Sequence, residues 1–296
     1  MPLNSFVDIL KNDQALAIRL AFIDFKIFYT GALSRTDLTS EFDISEITAT
    51  RIISKYKELR EKNLYYDNKS KKFELNESEY KFLVDFSAED ALKMLSEGFD
   101  KNKFVRGRNI IRYENIDFIQ SPLDKNKVAI ITRAIFNKHK IKIKYNSTTS
   151  NNKDNRMLSP LVILFDGRNW IFRAYHEDSD SEIKYKNFNF SRVMESEKIN
   201  KSIDYNQNLD YDDLWNTNLP IELEINPILN EQKKDEIKRD FGINSLDNKV
   251  LMTSRAAFIW IILNQWLVYY EENKESNSHY NFILKNIDML KSYKAI

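Results

Sequence analysis

Leu16, Leu20, Ile23 and Ile27 recur at helical spacing, which predicts that about the first thirty residues end in an amphipathic helix stopping at Gly31. Ser34 is placed to cap a second, shorter helix with Leu38 and Phe42 on its inner face. Asp43-Ile44-Ser45 then makes a tight break, and Ser45 caps a third helix through about Arg60. Ala49, Ile52, Ile53, Tyr56 and Leu59 fall on the core side of this helix, leaving Glu46, Thr48, Thr50, Arg51 and Lys55 outward. Leu64-Tyr65-Tyr66, a turn at Asp67-Asn68-Lys69-Ser70, and Lys71-Lys72-Phe73-Glu74-Leu75 read as a short hairpin. Residues 1–78 thus have the layout of a helix-turn-helix followed by a wing.

Farther on, helices are expected around Ala88 to Leu95 and Lys125 to Lys138, in a helical connector over residues 79–138. Ile141 to Tyr145 alternates apolar and basic residues as a half-buried strand does. Met157 to Phe165 and Trp170 to Tyr175 flank the turn dipeptide Asp166-Gly167, and Ile183 to Phe190 adds a further strand. Alternation puts Arg173 and Tyr175 on one strand face and Trp170, Phe172 and Ala174 on the other, so that one face packs while its opposite presents a guanidinium and a phenol. These strands fall in a domain over residues 139–205. The last part, residues 206–296, reads as a small α/β domain: a strand at Ile221 to Ile225, a helix from about Ile228 to Phe241, a strand near Lys249 to Thr253, and a long apolar helix from Ala256 to Tyr270. In that helix Phe258, Ile261, Ile262, Trp266 and Tyr269 are expected to form a broad buried face for the core or for a dimer contact. The fold class is α+β.

Charge adds function to this outline. The whole chain is balanced, with 45 basic and 44 acidic residues, so any nucleic-acid surface must be local. Between Glu46 and Lys72 there are eight Lys or Arg against four acids, in the stretch where phosphates would lie against a helix-turn-helix and wing. Ser45, Thr48, Thr50, Arg51, Lys55, Lys69, Lys71 and Lys72 are the candidate DNA contacts, because small polar residues followed by basic ones suit a helix entering the major groove N-terminus first. A packing module with a solvated charged face would carry the same pattern. From Lys101 to Lys144 there are twelve Lys or Arg against three acids, which suits a second phosphate contact, part of an anion pocket or a solvated linker. Residues 200–296 hold eleven basic residues against fifteen acids, an unfavourable surface for DNA.

Enzyme chemistry finds little support. The three histidines, at 139, 176 and 279, lack metal-ligand spacing, the five glycines form no phosphate loop, and the absence of cysteine removes thiolate chemistry and disulfides. No cofactor or metal is expected. Asp166, Glu177, Asp178 and Asp180 could serve a metal-dependent nuclease, but they fall in turns where acids are usually solvated. No signal peptide or membrane span is read, since Arg19, Asp24 and Lys26 interrupt the first apolar stretch, and the expected location is the cytoplasm.

Three runs carry a family resemblance: Arg156-Met157-Leu158-Ser159-Pro160, then Gly167 to Tyr175 with Trp170, Arg173, Ala174 and Tyr175, then Phe188-Asn189-Phe190-Ser191-Arg192-Val193. They resemble the WYL domain, which implies a small Sm/SH3-like β-barrel over residues 139–205. The naming triplet departs, since Ile171-Phe172 stand after Trp170 where the family has Tyr-Leu, so no role for the middle aromatic carries over. Together with Gly31 to Leu38, Phe42, Ile44-Ser45 and Asn63 to Asp67, the pattern is similar to WYL regulators of the BrxR/CapW group across nearly the whole chain. That resemblance implies a homodimeric winged-helix repressor on double-stranded operator DNA with an inverted repeat, a C-terminal WCX-like dimerisation domain, and control of an anti-phage defence operon of BREX or CBASS type. It also implies a nucleotide or short nucleic-acid effector at the WYL domain, with Tyr145, Arg156, Ser159, Trp170, Arg173, Tyr175 and Arg192 as candidate contacts. The alternatives are a nucleotide-binding adaptor without an operator and the nuclease.

Overall fold

The computed structural model describes residues 6–104, 111, 122–147, 155–270 and 278–296. They fall into two compact units, residues 1–203 and 204–296.

The first unit opens with α1 (Phe6–Asn12) and α2 (Gln14–Thr30). Asp13 caps α2 by accepting the Leu16 N–H, and Gly31 ends it at φ 85°, a left-handed conformation that costs glycine little. The sequence suggests an amphipathic α2, but Leu20, Phe22, Ile23, Phe25, Ile27 and Phe28 are all buried. The helix is apolar nearly all round because neighbours pack on several of its sides, α1, α4 (Glu46–Leu59) and α6 (Lys125–Asn137) among them. Between α2 and α4 lie β1 (Ala32–Leu33) and α3 (Arg35–Phe42). Ser34 and Asp37 form a reciprocal capping box on α3, Asp43 ends it at φ 50°, and Ser45 caps α4 through the Thr48 N–H. β2 (Leu64–Asp67) and β3 (Lys72–Leu75) then form the hairpin, which β1 joins in the order β1-β3-β2.

Ser87 caps α5 (Ala88–Glu97) and Asp124 caps α6. Five antiparallel strands follow: β4 (His139–Tyr145), β5 (Asn155–Phe165), β6 (Trp170–His176), β7 (Tyr185–Asn189) and β8 (Val193–Ser202), in the order β7-β6-β5-β4-β8. The expected closed barrel is not formed; the sheet is open, with β7 and β8 as its edges. Short β7 spends its pairing on β6, turns at once through the 3-10 segment Phe190–Arg192, and enters β8, which pairs with β4. A bulge between Pro160 and Val162 and irregularities at both ends of the β4–β8 ladder bend the sheet without joining its edges. One hydrophobic core runs without interruption from Ile9 to Val193.

The second unit has its own core. It comprises α7 (Asp213–Asn216), β9 (Asn218–Ile225), α8 (Glu231–Asp240), β10 (Lys249–Arg255), α9 (Ala256–Gln265), β11 (Val268–Tyr269), β12 (Phe282–Leu284) and α10 (Ile287–Ser292). The sheet order is β10-β9-β12-β11, with β11 parallel to β12. Two expectations need correction. Asn230 caps α8, so that helix begins three residues later than expected and Ile228 lies exposed before it. The long apolar helix stops at Gln265, because Leu267 turns the chain at φ 53° and Val268 and Tyr269 enter the sheet. Its fully buried side is Ala256, Ala257, Ile259 and Leu263, not the five larger residues expected, each of which stays partly exposed.

Candidate nucleic-acid interface and effector site

Capping at both ends of the turn fixes α4 with its first two turns outward. Ser45, Thr50 and Arg51 are exposed, Thr48 is half-buried against the Ser45 hydroxyl at 3.0 Å, and Lys55 pairs with Glu58 at 2.6 Å. Thr50 is engaged from both sides: its hydroxyl donates to the Glu46 carbonyl and accepts from Arg35 Nε at 3.1 Å. Ile47, which sequence reasoning passed over, stands 68% exposed in the first turn of α4. An apolar residue outside the helix's core stripe was the signal for it. In the wing, Lys69, Lys71 and Lys72 are all exposed. Asp67 Oδ1 and Oδ2 accept the N–H groups of Lys69 and Ser70, and Lys71 takes φ 55° to close the turn. The eight sequence-derived residues therefore occupy two elements of one module, the outer side of α4 and the hairpin tip.

Behind α4 lies a buried polar hub. Asp24, on α2, is 1% exposed and accepts the Tyr56 hydroxyl at 2.5 Å on Oδ1 and the N–H groups of Leu83 and Val84, each at 3.0 Å, on Oδ2. Tyr80 donates to the Asp24 carbonyl, while Asn63 donates to both the Tyr56 oxygen and the Lys81 carbonyl, each at 2.8 Å. Burial pushes the Asp24 carboxyl up to about 6 against the pull of the Tyr56 hydroxyl and the two backbone donors. The hub fastens α4 to α2 and to the chain entering α5. A lone carboxylate inside an apolar helix was its trace in the sequence.

Strand register sorts the seven candidate effector residues. Ile143 faces Arg156, Ala174 faces Lys186 and Phe172 faces Phe188, whereas Ser159 faces Tyr175 and Arg173 faces both Val162 and Asn187. With side chains alternating, Tyr145, Arg156 and Trp170 fall on one face of the sheet and Ser159, Arg173 and Tyr175 on the other. Arg173 and Tyr175 share a face as expected, but Arg173 is only 2% exposed and donates to Asn187 Oδ1 at 3.0 Å. That face does not present its guanidinium to solvent, because β6 lies between β5 and β7 and residues on both of its faces are buried. Ser159 is also buried, and the Tyr175 ring lies against Tyr185 at 5.1 Å. Across the sheet, the Arg156 guanidinium sits 5.1 Å from the Tyr145 ring centre, and the Tyr145 hydroxyl accepts the Asn189 N–H. Trp170 packs on Phe165 at the hairpin end. Arg192 is exposed in the edge turn. The three arginines therefore do not share one face.

The remaining candidates disperse. In the basic connector, Lys101 pairs with Glu41 and Lys103 with Asp90, while residues 105–110 and 112–121 lie outside the described residues. Asp166 accepts the N–H groups of Arg168 and Asn169 before β6, and Glu177, Asp178 and Asp180 follow that strand, so its seven residues separate them by roughly 20 Å. Glu177 pairs with the fully buried Lys140. Among the described residues no group of three or more His, Asp or Glu stands close enough to hold a metal ion, and no helix is long and apolar enough to cross a membrane.

Known proteins share this organisation. Residues 15–97 match the BrxR transcriptional regulator winged helix-turn-helix domain, and residues 126–197 match the WYL domain. The chain is similar to a protein of Pseudomonas aeruginosa described as DNA-binding transcriptional repressor CapW, at 27% identity over 92% of this chain and 90% of that one. A Stenotrophomonas maltophilia protein of the same description is 26% identical over 83% of this chain and 81% of its own length. Among solved structures, proteasome accessory factor B/C (PafBC) of Arthrobacter aurescens aligns at 14% identity over 94% of this chain, which spans about half (47%) of that one, with a TM-score of 0.25 that carries no argument. The two matched domains, in this order and with relatives along most of the chain, make it a member of the WYL-domain transcriptional regulators of the BrxR/CapW group.

Proposed function

We propose that this chain is a DNA-binding transcriptional repressor that reads its operator with α4 and grips the flanking backbone with the β2–β3 wing. The observation that carries it is the exposed row Ile47, Thr50 and Arg51 on a helix capped by Ser45, with Lys69, Lys71 and Lys72 exposed on the hairpin that follows it in the chain. A guanidinium early on such a helix suits bidentate contact with guanine, and an exposed isoleucine suits a thymine methyl. The wing lysines neutralise phosphates whatever the sequence. Ser45, Thr48 and Lys55 complete the surface, and Arg35 sets the Thr50 hydroxyl. One recognition helix reads only a few base pairs, so the repressor acts as a homodimer on an inverted repeat, with the WCX-like C-terminal unit contributing to the pairing. Arg51→Ala should cost about 1–3 kcal/mol of specific affinity, measured by titrating labelled operator. Unchanged affinity in a folded Arg51→Ala, Lys71→Ala double variant would remove this surface.

The relatives' description as repressors supports transcriptional control, here of an anti-phage defence operon of BREX or CBASS type, in the cytoplasm. The operon is relieved when a nucleotide or short nucleic acid binds the WYL domain. Arg192 and Tyr175 are the accessible contacts, Arg173 and Ser159 hold the strand beneath, and Tyr145, Arg156 and Trp170 serve from the opposite face. To regulate, the effector must favour the DNA-incompetent arrangement, and a coupling of about 1–3 kcal/mol shifts operator affinity about 5- to 150-fold. An Arg192→Ala protein that still binds operator should fail to respond to the inducing signal in cells.

A further inference from the structure

One sheet face gathers cations at the end where β6 meets β7. Register places Arg156, His176 and Lys186 on this face, and Lys184, two residues before Lys186, shares it by alternation. The Lys186 ammonium donates to the Ser179 hydroxyl at 2.7 Å and the Lys184 ammonium donates to the Ser179 carbonyl, which brings the two lysines together. Arg156 lies over Tyr145 and Phe188, and the His176 ring meets Phe188 edge-on at 6.1 Å. His176 is buried, and its Nδ1 has no hydrogen-bond partner among the described residues. The acids that follow β6 before Lys184, Asp178, Asp180 and Glu182, are exposed, and Asp178 Oδ2 already accepts the Met157 N–H. Glu177 belongs to the opposite face, with Lys140.

We propose that Arg156, His176, Lys184 and Lys186 form a phosphate-binding site that takes up a proton on His176 when a phosphate dianion enters. Three fixed cations beside an imidazole nitrogen without a partner match a doubly charged oxyanion: the guanidinium offers paired donors and the ammoniums offer point charges. The charge of the empty site also opposes protonation of the imidazole. Burial, then Arg156 and Lys186, push His176 down to about 4, and burial with Arg156 and Lys184 lowers Lys186. A bound dianion offsets most of this positive charge, so His176 takes up a proton more readily and Nδ1 gains an acceptor. The site deepens the effector reading above by assigning the phosphate of a nucleotide to this face, and it stands or falls on phosphate binding alone.

The test is nitrogen-15 NMR of histidine-labelled full-length protein, titrated with acid in inorganic phosphate and in chloride at matched ionic strength. Phosphate should move the His176 midpoint upward by about one pH unit or more and leave His139 and His279 unmoved. In a Lys184→Gln, Lys186→Gln protein the phosphate response should vanish while operator binding persists, and Lys→Arg replacements should restore it. Adenosine 5′-monophosphate acting at tenfold lower concentration than phosphate, with adenosine inert, assigns the site to a nucleotide's terminal phosphate; equal potency assigns it to free phosphate. A His176 midpoint identical in phosphate, mononucleotide and chloride overturns the site. That failure is distinct from failure of effector control, which the cellular response of Arg192→Ala reads separately.

Discussion

Asp24→Asn should erase a specific part of the pH dependence of stability. The carboxyl titrates near 3.8 in an unfolded chain and at about 6 in the folded hub, so the folded protein binds the proton more tightly. The stabilisation from that proton is complete below pH 3.8 and is lost as pH rises through about 6. The gap between the two values corresponds to about 3 kcal/mol in full, of which about 2 kcal/mol is present at pH 4.5 and almost none at pH 7.5. His176 works in the opposite sense over part of this range, because its folded value, about 4, lies below its ordinary one and stability is lost as pH falls. Comparison with Asp24→Asn cancels that contribution. Urea unfolding followed by far-UV circular dichroism at pH 4.5 and 7.5 gives four stabilities. Relative to the variant, the wild type should gain about 2 kcal/mol on going to pH 4.5. A wild-type and variant difference that stays constant between the two pH values would show that Asp24 does not titrate there, and the account of the hub would be wrong.

Other expectations follow from the same geometry. Lys71→Ala should weaken binding to all DNA sequences alike and reduce the slope of log affinity against log salt by about one, measured by titration across salt concentrations. Ile47→Ala should lose affinity mainly for sites with thymine at the contacted step, read by comparing thymine with uracil substitution in the operator. Gly31→Ala should lower stability by about 1 kcal/mol in thermal unfolding, since φ 85° strains any side chain and its Cβ would lie 3.5 Å from Arg133 Cδ. Arg173→Ala should destabilise the first unit by more than Arg192→Ala, because it empties a buried position and removes the hydrogen bond to Asn187 Oδ1; equal melting temperatures would contradict the burial argument.

Local chemistry made the N-terminal module legible. Ser34, Ser45 and Gly31 each mark a helix boundary through an interaction confined to a few residues, so capping rules alone locate α2, α3 and α4. Strand alternation likewise predicts that Arg173 and Tyr175 share a face. What lies on top of that face is a long-range matter, and the burial of Arg173 cannot be read from period two. The same limit applies to α2, whose apolar residues looked like one stripe until neighbours on several sides accounted for the rest. Closure of the sheet depends on whether distant edges pair, and the order β7-β6-β5-β4-β8 left them apart. In the second unit, composition extended α9 past Gln265, whereas the turn at Leu267 and the pairing of β11 with β12 ended it. Asp24 showed in the sequence only as a charge interrupting an apolar stretch, and Ile47, Lys184 and Lys186 were passed over, because each becomes meaningful only through partners far along the chain or through exposure.

The account rests on α4 and the wing reading DNA, and hydroxyl-radical footprinting of the full-length protein on DNA from upstream of its own coding sequence tests this most directly. Wild type should protect two half-sites related by an inverted repeat, about one helical turn apart or a multiple of it, and Arg51→Ala should lose that protection while remaining folded. A protein that protects nothing there, or an Arg51→Ala variant with the wild-type footprint, would contradict it.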